Sequence, residues 1–352
     1  MKVAVVGASG YVGGELLRLL IQHPHVELTA ATSKRHAGEY LFRVHPNLRG
    51  VSEMKFAPFS TSGLSEHADV VFTALPHGES VKIIPKLAEM GLKIVDMSAD
   101  FRLRDASNYR GWYGYDHPAP ELLARFVYAV PELNRERLRT ATLAASPGCM
   151  AITSILALAP LLKERSFGVD RDHIVVDAKV GSSGAGGRPS TSTHFSERYN
   201  VVRPYKPAGH RHSAEIEQVL AEVSGEQVRV SMSAHAVNMV RGILSTCHVF
   251  MDPMPQVVDL WKAYRRAYQG SYFVRLVRDK DGPFRLPDPK VVIGSNFCDV
   301  GFELEGRTRR VVALGATDNL VKGAAGNAIQ TMNLMCGLDE KEGLAYAPLH
   351  PV

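Results

Sequence analysis

An apolar run, Lys2-Val3-Ala4-Val5-Val6, breaks into Gly7-Ala8-Ser9-Gly10-Tyr11-Val12-Gly13-Gly14 and resumes as the helix-like Glu15-Leu16-Leu17-Arg18-Leu19-Leu20. No other stretch restricts the fold so tightly. A strand this apolar is of the kind buried in a parallel sheet, and glycines at positions 7, 10 and 13 let the turn backbone approach a pyrophosphate closely. The helix N-terminus then carries the charge of that pyrophosphate. Gly7, Ser9, Gly10, Tyr11, Val12 and Gly13 are therefore expected to bind a dinucleotide.

The alternation continues. Val26–Thr32 reads as a second strand, ending in Ser33-Lys34-Arg35 where an acidic residue would hold a free ribose 2′-hydroxyl. A hydroxyl and two cations there favour a 2′-phosphate, so the expected cofactor is NADP (NADPH), bound by Ser33, Lys34 and Arg35. Asp69–Leu75 and Lys93–Met97 read as strands around a helix, Glu79–Met90, that Pro85 should kink. Pro76, after the third strand, is placed at the same crevice. The class is α/β: a doubly wound parallel sheet, Rossmann-type, over residues 1–149, completed by a C-terminal helical segment, 319–352.

At the end of that domain a strand-like run reaches Ser146-Pro147-Gly148-Cys149, and the apolar spacing after it (Ile152, Ile155, Leu156, Ala159, Leu162) predicts a helix to Lys163. Cys149 would then stand on a helix N-terminus, where unpaired N–H groups stabilise a thiolate and make it a nucleophile. Arg102 follows the fourth strand in Ser98-Ala99-Asp100-Phe101-Arg102. It either clamps an anionic part of a substrate or pairs with Asp100 or Asp105.

From His173 the strands Ile174–Ala178, Val228–Met232, Gly242–Phe250, Tyr272–Val277 and Arg309–Leu314 have few helices between them. Residues 150–318 therefore read as an α+β domain with a mainly antiparallel sheet for catalysis, substrate binding and oligomerisation. Two loops stand out in it. Gly181–Gly187, with Ser183 and Gly184, is full of backbone donors and could approach a nicotinamide or an oxyanion; Asn319, in the run Ala316–Gly323 near the end of the chain, is a further expected cofactor contact. Tyr205–His212 clusters Tyr205, His210, Arg211 and His212. His210 is the expected general acid/base and His212 its alternative, while Tyr205 and Arg211 are expected at the substrate.

Composition narrows the function. The chain has 352 residues, 45% of them hydrophobic and 22% charged, which suits about two globular domains. The start reads directly into a strand without a signal core, and no apolar run could span a bilayer, so a cytoplasmic location without a membrane is expected. Four widely spaced cysteines without a C-x-x-C pattern suggest neither a metal site nor disulfides. A net charge of +5, dispersed along the chain, suits small anions and argues against nucleic acid.

Several motifs, in order, carry a family resemblance. Gly7–Gly14, Ser98-Ala99-Asp100-Phe101-Arg102, Pro147-Gly148-Cys149, Gly209-His210-Arg211-His212 and Asp318-Asn319-Leu320-Val321-Lys322-Gly323 resemble the N-acetyl-gamma-glutamyl-phosphate reductase family, within the superfamily it shares with aspartate-semialdehyde reductases. Val44-His45-Pro46-Asn47-Leu48-Arg49-Gly50, Tyr205-Lys206-Pro207-Ala208-Gly209-His210, Asp288-Pro289 and Leu349-His350-Pro351 are similar to its LysW-aminoadipate 6-phosphate reductase branch. One departure is Met150-Ala151-Ile152, where many relatives read aromatic-Pro-Thr; Thr153 and Ser154 lie close by.

The resemblance implies NADPH-dependent reductive dephosphorylation of an acyl phosphate through a Cys149 thioester, with His210 as proton donor. It further implies a homo-oligomer, dimer or tetramer, and a substrate borne by a small acidic amino-group carrier protein, LysW. Aminoadipyl phosphate in lysine synthesis is preferred; carrier-bound glutamyl phosphate or N-acetyl-glutamyl phosphate in arginine synthesis is the alternative. The basic segment from Lys262 to Lys290 would suit an acidic carrier. A non-catalytic NADP-binding regulator would keep the glycine turn and have no use for Cys149 and His210.

Overall fold

The computed structural model describes residues 1–352, the side chains of Ser62, Ser65 and Glu66 excepted. It divides into two compact units: Met1–Pro147 with Ala324–Ala345, and Gly148–Gly323 with Tyr346–Val352. The tail from Tyr346, which the sequence reading assigned to the first domain, falls in the second unit, where the Leu349 N–H donates to the Ile293 carbonyl at 2.9 Å.

The first unit is built on strands β1 (Lys2–Val6), β2 (Glu27–Thr32), β3 (Val70–Thr73), β4 (Lys93–Asp96), β5 (Phe126–Tyr128) and β6 (Leu143–Ala145). They form a wholly parallel sheet in the order β2-β1-β3-β4-β6-β5. The order steps outward from β1 in both directions, which is the doubly wound pattern. Every residue from Val3 to Val6 is buried, as the unbroken apolar run requires. The segment expected as one kinked helix is instead a 3₁₀ turn, Ser80–Lys82, and a separate short helix, Ile84–Glu89. Pro85 stands in the first turn of the new helix, where its missing N–H costs nothing.

The second unit carries β7 (Ile174–Val180), β8 (Val202–Lys206), β9 (Val230–Val237), β10 (Ile243–Phe250), β11 (Val274–Leu276), β12 (Cys298–Glu305) and β13 (Arg310–Thr317). The sheet order is β11-β12-β13-β10-β7-β9-β8. It is mixed: β11 with β12 and β7 with β9 run parallel, and the other pairs are antiparallel. Strand β8 escaped the sequence reading because Pro204 interrupts it and it has no apolar alternation. Pro is tolerated there because β8 is an edge strand. Among the described residues no helix is long and apolar enough to cross a membrane.

The helix Cys149–Lys163 lies at the centre of the second unit, with every residue from Met150 to Leu162 buried. It contains Pro160, which has no N–H to give the Leu156 carbonyl four residues back. The orphaned acceptor is served from outside the helix: the Tyr268 hydroxyl donates to the Leu156 carbonyl at 2.5 Å, and the Tyr264 hydroxyl to the Ala157 carbonyl at 2.6 Å. Both tyrosines belong to the helix Val257–Tyr268. A buried carbonyl without a donor costs about 1–3 kcal/mol. Tyr268→Phe is therefore expected to lose about that much stability in urea unfolding, and to lose clearly less in a Pro160→Ala background, where residue 160 regains its N–H. Equal losses in both backgrounds would show that the tyrosine does not compensate for the proline.

Candidate active site

The nucleotide turn has the shape its glycines suggested. Gly7 adopts φ +81°, and a Cβ there would come within 2.6 Å of the Ala74 carbonyl oxygen. A Cβ on Gly13 would lie 2.6 Å from the Ala8 backbone, so the helix Tyr11–Leu20 can lie against the turn only with glycine at that position. Gly10, the N-cap of that helix, faces open space instead, with nothing within 4 Å of the added carbon. The turn thus leaves room for a phosphate at a helix start that has no side-chain cap.

The flanking residues divide into braces and exposed groups. Ser9 and Ser33 are joined through their hydroxyls at 3.0 Å, which braces the turn against the end of β2. Tyr11, Lys34, Arg35 and Pro76 are exposed, and Val12 is half-buried. The sequence reading missed His45. Its Nε2 bonds to the Ala8 carbonyl at 2.9 Å, and its ring fills the space a Cβ on Gly14 would need, at 2.5 Å. Burial lowers its pKa, so it serves as a neutral donor holding the turn.

Arg102 is buried, with Nε donating to the Ser146 carbonyl at 2.8 Å and a terminal nitrogen to the Met97 carbonyl at 3.1 Å. It thereby ties together the ends of β4 and β6. Asp100 accepts from the N–H groups of Gly78 and Val81 and from the Tyr115 hydroxyl, so it fixes the turn after Pro76.

In the second unit Gly148 is the N-cap and Cys149 the first residue of the central helix, one position earlier than the periodicity suggested. Cys149 is partly exposed, whereas Cys247 and Cys298 are buried. A Cβ on Gly323 would lie 2.8 Å from the Cys149 Cβ, so bare backbone packs against the side of the cysteine. Thr153 and Ser154 do not replace the hydroxyl missing at position 152. Thr153 bonds to the Cys149 carbonyl and to Thr317, and Ser154 to the Met150 carbonyl and Ser245.

The two histidines have different work. The His210 Nδ1 accepts the His212 backbone N–H at 3.1 Å, which puts the proton of the neutral ring on Nε2. Burial, and then the adjacent Arg211 charge, push the His210 pKa down to about 4. His212 starts the helix His212–Ser224. It lies so close over Gly148 that an added Cβ would be 2.3 Å from its Nε2, and that Nε2 is 3.8 Å from the buried Glu215 carboxylate. Tyr205 meets the His210 ring edge-on at 6.1 Å; it is 47% exposed, and the partial burial of its ring with nearby Cys149 raises its pKa. Arg211 is half-buried beside these groups, with no carboxylate partner among the described residues.

The glycine loop is less free than expected. Gly181, Ser182 and Ser183 give their N–H groups to the carbonyls of Gly242, Met239 and Val240. Asn319 joins Ser183 to Gly242, donating to the serine hydroxyl at 2.9 Å and accepting the Gly242 N–H at 2.8 Å. Gly184 packs against Val180 and the Asn319 amide.

Known proteins carry the same plan. A family model described as the semialdehyde dehydrogenase NAD binding domain matches residues 2–141, and one described as the semialdehyde dehydrogenase dimerisation domain matches residues 149–319. The chain is 54% identical to a protein of Nitrosopumilus maritimus and 55% identical to one of Cenarchaeum symbiosum, over the full length of each. Both bear the provisional name LysW-L-2-aminoadipate/LysW-L-glutamate phosphate reductase. Among solved structures it is similar to aspartate semialdehyde dehydrogenase II of Vibrio cholerae, with TM-score 0.71, 20% identity, and 96% and 98% of the two chains covered. The Candida albicans aspartate semialdehyde dehydrogenase, solved with NADP, gives TM-score 0.71 at 19% identity over 95% and 98% of the chains.

The low pKa of His210 has a consequence for stability. An unfolded histidine titrates near 6.5 and this one near 4, so between those values the unfolded chain binds the extra proton. The contribution is whole above pH 6.5 and is withdrawn as the pH falls toward 4. His210→Asn, which has no proton to take up, should lose less stability than the wild type between pH 7 and 4 in parallel denaturant titrations; identical losses would contradict the burial of a neutral ring.

Proposed function

The chain belongs to the semialdehyde dehydrogenase family, in the branch of the LysW-aminoadipate/LysW-glutamate phosphate reductases, and from that premise we propose that it reduces LysW-bound 2-aminoadipate 6-phosphate to the semialdehyde with NADPH. The observation that carries the reading is the company of Cys149. A cysteine on the N-terminus of a buried helix stands in the same unit as a neutral histidine with its Nε2 proton unused and an arginine with no carboxylate partner.

The Cys149 thiolate attacks the acyl carbon; the C–S bond forms as the C–O bond breaks, and phosphate leaves with its electron pair. Arg211 offsets the charge of the departing phosphate. When bound, the nicotinamide supplies the hydride that reduces the thioester. The His210 Nε2–H donates a hydrogen bond to the oxygen on which negative charge develops and keeps its proton; that oxyanion then collapses to the aldehyde as the C–S bond breaks and Cys149 leaves as the thiolate. Gly7, Gly10 and Gly13 would hold the pyrophosphate of the cofactor, and Lys34 and Arg35 its 2′-phosphate.

Two experiments test the reading. Replacing both Lys34 and Arg35 by alanine should weaken NADPH far more than NADH in fluorescence titrations, because only NADPH has the 2′-phosphate they would meet. An equal loss for both would remove the assignment to NADP. The substrate is tested by kcat/KM for carrier-linked aminoadipyl phosphate, carrier-linked glutamyl phosphate and N-acetyl-glutamyl phosphate at two salt concentrations, with Cys149→Ser as the blank. The expected order favours the carrier-linked aminoadipyl compound, with an advantage that shrinks as salt screens an acidic carrier. Preference for the acetylated compound without salt dependence would place the chain in arginine synthesis, and turnover by Cys149→Ser would refute the thioester route.

A further inference from the structure

We propose that Glu215 is the positioning residue of the nucleophile: its carboxylate holds the cap of the Cys149 helix and the His212 ring together, and through His212 it holds His210. The inference rests on Cys149 being the nucleophile. No side chain of its own caps the Gly148 end of the helix. The donor just ahead of Cys149, the Gly148 N–H, instead reaches the Glu215 Oε2 at 2.8 Å. Glu215 comes from the first turn of the helix His212–Ser224 and has no solvent exposure.

Its other oxygen, Oε1, lies 3.8 Å from the His212 Nε2. The His212 ring occupies the place of the missing Gly148 side chain, where a Cβ would be 2.3–2.7 Å from three ring atoms. The ring is therefore set between a carboxylate and a bare Cα. From His212 the contacts continue, since its backbone N–H is the donor that fixes the His210 Nδ1. One buried carboxylate thus anchors the cap of the nucleophile and, two residues from its own helix start, the orientation of the proton donor.

The carboxylate also carries a negative charge one residue from Cys149. A like charge disfavours the thiolate, so part of the stabilisation given by the helix N-terminus is offset, and the thiol is tuned by both. A merely structural glutamate would leave the thiol indifferent to its charge. Tyr205, His210, Arg211 and His212 keep their identity in the test variants, and loss of the Glu215 charge only lowers the His210 pKa further, so that ring stays neutral through the titration.

The test reads the thiol without any substrate: the rate of iodoacetamide alkylation against pH, with Cys149→Ser as the blank for the remaining cysteines. Glu215→Gln keeps an oxygen for the Gly148 N–H and removes the charge. It should lower the apparent pKa of alkylation by about half a unit or more. Glu215→Ala also removes the acceptor, and should lower kcat about a hundredfold with little change in the KM for cofactor, while Glu215→Gln retains at least about ten times the kcat of Glu215→Ala. An alkylation profile unchanged in Glu215→Gln overturns the proposal, even if thermal stability falls, and that variant decides the matter if Glu215→Ala does not fold. Turnover surviving in Cys149→Ser would instead defeat the thioester mechanism, so the two failures are separable.

Discussion

The burial of the helix Cys149–Lys163 on every side is the constraint from which the rest of the second unit follows. An amphipathic helix on a surface can roll or slide at modest cost. One whose residues from Met150 to Leu162 are all enclosed can move only if the core moves with it. The sheet, the helix His212–Ser224 and the helix Val257–Tyr268 all pack against it. Its first residue, Cys149, is thereby located by an entire core, and the proposed role as nucleophile would use that rigidity, since a small misplacement can cost a large factor in rate. Pro160 would weaken such a helix, and two tyrosine hydroxyls repair its carbonyls from a neighbour.

The same enclosure sets the charges of the site. Burial keeps His210 neutral, while Tyr205, whose side chain is partly exposed, stays a protonated phenol at neutral pH. The Arg211 guanidinium has no carboxylate partner among the described residues. In the proposed reaction an anionic substrate would meet the Arg211 charge, with Lys206 and Arg198 near enough to act on His210 and Tyr205, together with two neutral hydrogen-bond donors, while Glu215 lies behind Gly148. In the proposed reaction that arrangement would stabilise an oxyanion and a departing phosphate.

Much of this was legible in the sequence where local pattern and tertiary environment agree. β1 spans Lys2–Val6 as the apolar run marked it, and the Pro-Gly-Cys step starts a helix. The sequence could not separate His210 from His212, because residue type says nothing about which ring nitrogen is already engaged; the separation came from one backbone N–H and one glycine with no room for a side chain. Glu215 was hidden as an ordinary glutamate on a helix, although its i,i+3 spacing from His212 places both on one face and was a usable signal. His45 was noticed only as part of a motif, and its bond to the Ala8 carbonyl depends on a loop folding back over 37 positions. Arg102 could be read as a clamp on a substrate anion or as a partner of Asp100 or Asp105, and its bonds to two backbone carbonyls could not be read from residue type.

Counting charges along the chain misled in a different way. Between Lys262 and Lys290 the cations outnumber the anions, yet Lys262, Arg266, Arg275 and Arg285 pair with Asp259, Glu164, Asp299 and Glu303. Arg278 stacks over the Trp261 ring at 5.3 Å. Three of those four carboxylates, Glu164, Asp299 and Glu303, come from outside the helix and strand that carry the cations, so a linear window cannot see the compensation. Pairs of this kind contribute little to stability, and they weaken the field of the segment without removing it, since Arg265, Arg278, Lys280 and Lys290 have no carboxylate partner among the described residues. Arg211, by contrast, is a single cation in a half-buried place without a counter-charge, and a low-dielectric wall concentrates its field. The attraction of this chain for anions therefore depends on where its unpaired cations stand more than on its net charge.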